Sequence, residues 1–332
     1  MTRVAVIGGG AWGTTLADLL ARKGEPVTLW AREPEVAAQV AREHMNGIFL
    51  PGASLAPALA ATTDLPTAVA GADVIVSAAP SHAVRAVMTE ALRGLTTRPA
   101  IVSVSKGLEP DRLVTLSCLL AEIANGAPVA VLSGPTFAVE VYHRQPTAAV
   151  VASKDQELAR RIQALFSTPA FRVYTHTDVT GVELGGALKN VIALAAGIVD
   201  GLGFGFNTRA ALITRGLAEI TRLGLALGAE PLTFAGLAGL GDLILTATGT
   251  LSRNHTLGVE LGKGKTLAEA LAGKQSVAEG VGTARTAVAL GERHHVDLPI
   301  ARQVAAILFE GKTARQAISD LMEREPKPEQ WR

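Results

Sequence analysis

One stretch near the N-terminus constrains the fold more than any other. Residues 3–24, "RVAVIGGGAWGTTLADLLARKG", run as a β-branched strand, then Gly8-x-Gly10-x-x-Gly13, then an Ala/Leu-rich helix. A lone GxGxxG carries little information, but one placed directly after a strand and opening a helix is far more specific. In that place Gly8 permits the tight turn, Gly10 lets the backbone approach a diphosphate, and Gly13 lets the helix pack closely on the strand. The helix N-terminus then offers unpaired N–H groups to phosphate oxygens. The plainer alternative is an ordinary glycine-rich turn; the context favours a dinucleotide.

The rest of the first half extends the pattern. Short β-branched runs ("PVTLWA", "DVIVSAA", "AIVSVS", "VAVLSG", "TAAVVAS") alternate with helical stretches up to about residue 180. Such alternation predicts βαβ units and a mostly parallel sheet covered on both faces. Beyond 180 the strand signals fade and the chain becomes Ala/Leu/Gly-rich with helical period, as in "NTRAALITRGLAEITRLGLALG". The expected fold is therefore α/β, a Rossmann-like dinucleotide-binding domain over residues 1–180 followed by an all-α substrate-binding domain over 181–332.

Composition narrows the function classes. At 332 residues there is chain enough for two cores, and 48% hydrophobic against 18% charged residues argues against disorder. A net charge of +1 gives no reason to expect nucleic acid or an acidic membrane as partner. The single cysteine, Cys118, fits a reducing compartment and reads as a buried small hydrophobe without chemistry. No apolar run is expected to reach the roughly 18–20 residues of a bilayer span, and the N-terminus resembles a strand, not a leader. The expectation is a cytoplasmic protein without membrane insertion.

The second strand ends "TLWARE". Dinucleotide folds selective for NAD usually place Asp or Glu there, to hold the ribose 2′-hydroxyl. Here Arg32 stands in that region, and a cation suits a 2′-phosphate, so NADP(H) is preferred and NAD(H) remains usable. A solvated surface arginine, with Glu33 beside it, is the alternative. No metal is called for.

The seam between the halves, "GVELGGALKNVIALAAGI", poses a chemical puzzle. Leu184, Leu188 and Val191 recur at helical spacing, yet Lys189 and Asn190 sit among them, one turn beyond Gly185 and Gly186. Side chains tilt toward a helix N-terminus, so Lys189 lies over Gly185 and Asn190 over Gly186. The glycines either leave room for a ligand or admit another segment. A buried, unpaired ammonium is costly, which favours a lysine facing a cleft. Lys106 in "SVSKGLEP" ends a strand, where open α/β sheets bind ligands. Asp242 in "GLAGLGDLILTATG" stands among apolar residues, with a helix N-cap as its alternative role. Ser252, Arg253 and Asn254 in "LSRNHTLG" open a helix, and a helix N-terminus with a guanidinium suits phosphate; Ser252 as an N-cap is compatible with that. Two lysines, an arginine and a carboxylate beside a nicotinamide suggest a reducible carbonyl carrying an anion.

In their order, "SKGLE", "SGPTFAVE", "GVELGGALKNVIALAAGIVDGLGFG", "GLAGLGDLILTATG" and "SRN", with "AAPSHAVR" and "NGIFLPG", make residues 1 to about 315 similar to bacterial-type NAD(P)-dependent glycerol-3-phosphate dehydrogenase. The resemblance implies reversible reduction of dihydroxyacetone phosphate to sn-glycerol 3-phosphate, the backbone of phospholipids. It implies Lys189 as proton donor and acceptor, and Lys106 touching both cofactor and substrate. Gly134, Thr136, Asp242, Ser252, Arg253 and Asn254 fall on substrate positions. Ala11, Trp12, Arg32, Ala138, Arg253, Val277 and Glu279 fall on cofactor positions. Phe49 departs from the tyrosine of "YLPG", keeping a ring near the cofactor without its hydroxyl.

A cluster of cations is then expected to lower the pKa of Lys189. The rival readings are a related two-domain hydroxy-acid or sugar-acid dehydrogenase and a non-catalytic NAD(P)H-binding sensor, for which a proton donor would have no use. The long apolar helices are compatible with a homodimer.

Overall fold

The computed structural model describes residues 1–273, 278–326 and 328–329 of the chain. Its first half is built on one sheet, eight-stranded among the described residues. From the strand Val4–Ile7 the sheet grows one way through Val27–Trp30 to Ala60–Thr62, and the other way through Val74–Ser77, Ala100–Ser103 and Val129–Ser133. All these pairings are parallel, with Val4 flanked by Val27 and Val74. Thr147–Ala152 then runs antiparallel to Val129–Ser133 and is joined in parallel by Phe171–His176. Alternation along each strand feeds two cores: Val4 and Val6 pack on one face, Ala5 and Ile7 on the other. A sheet buried on both faces is what βαβ crossovers produce.

Four strands among the described residues have no counterpart in the sequence reading: Ala60–Thr62, Phe171–His176, and Leu108–Glu109 with Val114–Thr115, which pair as a small hairpin. The strand Phe171–His176 lies at the sheet edge, burying Phe171 and Val173 while Arg172 and Tyr174 face out. Cys118 also differs from expectation. It is exposed, because the helix Leu116–Ile123 turns Leu116, Leu119 and Leu120 inward and Cys118 away from them.

The second half is helical and organised around the helix Val179–Gly201, hereafter the lysine helix, in which every residue from Gly181 to Val199 is buried. Its start is fixed by Asp178, whose carboxylate accepts from the N–H of Gly181 (2.8 Å) and of Glu230 (2.8 Å) and from the Thr233 hydroxyl (2.6 Å). Such an N-cap typically contributes about 1 kcal/mol. By length and composition this helix could cross a membrane, contrary to the sequence expectation, but its apolar surface is covered by protein.

Two contacts of the lysine helix place the site. Glu183 reaches the sheet half, accepting from both the N–H (2.8 Å) and the hydroxyl of Ser117 at the start of the Leu116–Ile123 helix; burial pushes its pKa up, against the pull of those hydrogen bonds. On the other side the helix crosses Arg253–Gly262 at backbone distance. A Cβ on Gly197 would lie 2.0 Å from the His255 carbonyl oxygen and 2.9 Å from Gly258 Cα, and one on Gly201 2.3 Å from that of Val259. Glycines face glycines across this crossing, and only they allow it.

Candidate active site

The glycine turn has the shape that its spacing suggests. Gly8 has φ +133, and a Cβ there would meet the Ala78 carbonyl oxygen at 2.6 Å. A Cβ on Gly13 would lie 2.0 Å from the Gly8 carbonyl oxygen, whereas one on Gly10 would meet nothing within 4 Å. The turn is therefore closed toward the protein and open at Gly10. Ala11 and Trp12 begin the helix Ala11–Arg22, whose N-cap is Gly10 and which has no side-chain cap. An uncapped helix start beside an open glycine fits a dinucleotide diphosphate. Asn46, absent from the sequence reading, braces this turn. Its amide donates to the Gly9 carbonyl (2.9 Å) and the Thr14 hydroxyl (2.8 Å), and its oxygen accepts from the N–H of half-buried Phe49 (3.1 Å). Arg32 lies apart from these contacts, with its side chain 79% exposed and paired with Glu33 at 2.7 Å. Val277 lies outside the described residues.

At the C-terminal ends of the neighbouring strands the substrate-side residues converge. Asp242 is 1% exposed and bridges two ammonium groups. Lys189 donates to its Oδ1, Lys106 to its Oδ2 at 2.7 Å. Lys106 also donates to the Gly134 carbonyl (2.9 Å), to which the Thr136 hydroxyl donates as well (3.2 Å). The Ala138 carbonyl accepts from Thr15 (3.2 Å), tying this stretch to the glycine-turn helix. Asp242 is thus no N-cap: it is the first residue of the helix Asp242–Thr248 and makes no cap bond there. Its carboxylate instead offsets one buried cation, Lys189, and one half-buried cation, Lys106. Thr246, one turn on, accepts from Lys189 Nζ at 2.7 Å.

Gly185 and Gly186 serve this convergence. A Cβ on Gly185 would lie 2.6 Å from the Ala238 carbonyl oxygen, and one on Gly186 2.7 Å from Ser133 Oγ and 3.7 Å from Lys106 Cγ. The glycines admit the turn that delivers Asp242 and the strand end at Ser133 that leads into Gly134. They make room for neighbouring protein, the second of the two roles left open by the sequence.

Burial pushes the Lys189 ammonium down to about 7; Asp242 opposes the shift and Lys106 adds to it. The expected cause, a cluster of cations, is therefore secondary to burial. A lysine poised near neutrality can give or take a proton at working pH.

One residue along the lysine helix a second set begins. The Asn190 oxygen accepts from the Asn254 amide (2.9 Å), and the Asn254 oxygen accepts from the N–H of Gly280 (2.9 Å). Ser252 caps the Arg253–Gly262 helix, accepting from the His255 N–H at 3.2 Å. Arg253 opens that helix as an exposed side chain with Glu279 as an acidic neighbour. Lys106, Gly134, Lys189 and Asp242 are thus brought into direct contact, and Ser252, Arg253 and Asn254 stand at one helix start. Among the described residues no group of three or more His, Cys, Asp or Glu side chains could hold a metal.

Comparison with known proteins agrees with this architecture. Residues 3–159 match the family model described as NAD-dependent glycerol-3-phosphate dehydrogenase N-terminus, and residues 178–319 match the corresponding C-terminus. The chain is 55% identical over 330 residues to a glycerol-3-phosphate dehydrogenase [NAD(P)+] of Geobacter metallireducens, covering 98% of both chains. It is 51% identical to that of Koribacter versatilis, covering 100% of both. The crystal structure of the Coxiella burnetii glycerol-3-phosphate dehydrogenase superposes with a TM-score of 0.94 at 38% identity, over 97% of this chain and 99% of that one. The chain belongs to the NAD-dependent glycerol-3-phosphate dehydrogenase family.

Proposed function

We propose that this protein catalyses the reversible, nicotinamide-dependent reduction of dihydroxyacetone phosphate to sn-glycerol 3-phosphate, for glycerophospholipid synthesis. The reading is carried by one observation: two lysines from different halves of the chain share the buried carboxylate of Asp242 at the C-terminal edge of a dinucleotide-type sheet. Residues 1–180 serve the cofactor and residues 181–332 the substrate. Gly8, Gly10 and Gly13, with the N–H groups of Ala11 and Trp12, hold the diphosphate; Arg32, Phe49, Lys106, Ala138, Arg253 and Glu279 complete the cofactor contacts among the described residues. The reduced nicotinamide, when bound, supplies a hydride to C2 of the ketone.

Negative charge then develops on the ketone oxygen. Lys189 gives it a proton, and Lys106 stabilises the charge before transfer. Asp242 fixes both ammonium groups and keeps two adjacent cations from repelling one another. Arg253 and the helix start at Ser252–Asn254 hold the phosphate, with Gly134 and Thr136 lining the approach. Holding both reactants in place makes the step effectively unimolecular. In the reverse direction neutral Lys189 accepts the hydroxyl proton.

The test is loss of reduced-nicotinamide absorbance with dihydroxyacetone phosphate, with unphosphorylated dihydroxyacetone as control. Turnover of the phosphate ester alone is expected; turnover of neither would overturn the reading. NADPH is proposed as the preferred cofactor, with Arg32 leaving Glu33 for the 2′-phosphate. Charge-assisted hydrogen bonds are worth roughly 1.5–3 kcal/mol. Arg32→Asp should therefore lower the NADPH-to-NADH ratio of kcat/KM about tenfold or more, and an unchanged ratio would remove Arg32 from the cofactor site. The enzyme is proposed to be cytoplasmic and homodimeric. The dimer is supported by exposed apolar side chains of the helical half, Phe206 at 82% and Leu232 at 83%, and is checked by sedimentation.

A further inference from the structure

Ser81 lies in the "AAPSHAVR" stretch but falls on none of the substrate or cofactor positions, yet it contacts two segments of the crevice, Gly107 and Glu279. It opens the short 3₁₀ helix Ser81–Ala83 that follows the strand Val74–Ser77, where the sheet order reverses on either side of Val4–Ile7. Open α/β sheets bind their ligands at this kind of crevice. Ser81 is 8% exposed. Its N–H donates to Glu279 Oε1 at 3.2 Å and its hydroxyl to Oε2 at 2.5 Å. On its other side it packs against Gly107, the residue after Lys106. Gly107 has φ +155, and a Cβ there would lie 2.5 Å from Ser81 Cβ. Glu279, at the start of the helix Glu279–Arg293, is in turn the acidic neighbour of Arg253.

We infer that Ser81 is a positioning residue for the nicotinamide cofactor. It grips both oxygens of the Glu279 carboxylate, so the helical half meets the cofactor crevice at a fixed distance, and it holds Glu279 back from Arg253. Without the hydroxyl, Oε2 is free to swing to the guanidinium, and an arginine neutralised by its own neighbour is a weaker anchor for an anionic ligand. The inference takes the identity of the cofactor, and its contacts with Arg253 and Glu279, from the proposed function.

The test is a double-mutant cycle on cofactor binding, read by fluorescence titration of NADPH against wild type, S81A, E279A and the double variant. S81A is expected to raise the dissociation constant about tenfold, as loss of a hydrogen bond to a charged group would, and the KM for cofactor similarly. Its kcat should stay within about threefold of wild type. In the E279A background the same substitution should change the dissociation constant less than about twofold, because Ser81 acts through Glu279. S81C, which keeps the packing against Gly107 with only a weak donor, should follow S81A and guards against a folding defect in it. An unchanged dissociation constant in S81A and S81C overturns the inference, as does an equal loss in both backgrounds. Binding is read without turnover, so failure of wild type to reduce dihydroxyacetone phosphate overturns the reaction assignment and leaves this cycle to be judged separately.

Discussion

Replacing Lys189 with alanine is expected to lower kcat for reduction of dihydroxyacetone phosphate by about 10²–10⁴-fold, the usual contribution of a positioned general acid, with cofactor affinity little changed. The pH dependence identifies the role more sharply. The Lys189 pKa lies near 7 because the side chain is buried. Reduction needs the ammonium, so its rate should fall as pH rises through that value. Oxidation needs the free amine, so its rate should rise over the same interval. Lys189→Arg keeps a cation that does not titrate below pH 12 and should abolish this limb as well as most of the rate. A pH–rate profile that Lys189→Arg leaves unchanged would assign the proton to another group. The same shift has a consequence for stability. Between about pH 7 and 10.5 the unfolded chain holds a proton on Lys189 that the folded chain does not. This group's cost to folding is therefore full below 7 and is relieved as pH rises toward 10.5.

How much of this was legible beforehand depended on whether the partner of each residue was close in sequence. Each β-branched run singled out as a strand is one, because a strand buried on both faces must be continuously apolar. The edge strand Phe171–His176 escaped notice because Arg172 and Tyr174 interrupt it. Cys118 could have been placed: Leu116, Leu119 and Leu120 define the inward face of its helix, and position 118 falls off it. Thr246 was within reach too, four residues after Asp242 and so on the same helical face. Whether Asp242 capped a helix or bridged lysines was not decidable locally, because Lys106 and Lys189 are 136 and 53 residues distant. Ser81 and Glu279, 198 residues apart, carry no local signal of their contact. Family resemblance supplied candidate residues where spacing could not, but not their geometry. It gave no hint that Gly185 and Gly186 admit protein segments, or that burial outweighs neighbouring cations at Lys189.

The second large effect is expected at a residue that touches no reactant. Gly197→Ala should destabilise the helical half by several kcal/mol, at or beyond the 1–3 kcal/mol typical of overpacking, because the added methyl meets backbone. The new Cβ would lie 2.0 Å from the His255 carbonyl oxygen, and no rotamer change can move a carbonyl that belongs to a helix ladder. Gly258 faces the same crossing from the other helix, where an added Cβ would lie 2.2 Å from the Leu194 carbonyl oxygen, so Gly258→Ala should behave alike. At roughly 2–4 °C per kcal/mol for a domain of this size, the thermal midpoint should fall by about 6–12 °C. Gly282→Ala is the control: it lies within a helix, its Cβ would meet nothing within 4 Å, and alanine there should be neutral or stabilising. Activity should fall with Gly197→Ala even in the fraction that remains folded. The lysine helix carries Lys189 and the helix it crosses begins with Ser252–Asn254. Pushing them apart by about 1 Å moves the proton donor relative to the phosphate anchor, a displacement that can cost about 10²-fold in rate. A Gly197→Ala enzyme with a native melting point would mean that the two helices separate more easily than backbone contact allows. One that melts early but keeps full kcat/KM while folded would detach the Ser252–Asn254 helix start from the phosphate.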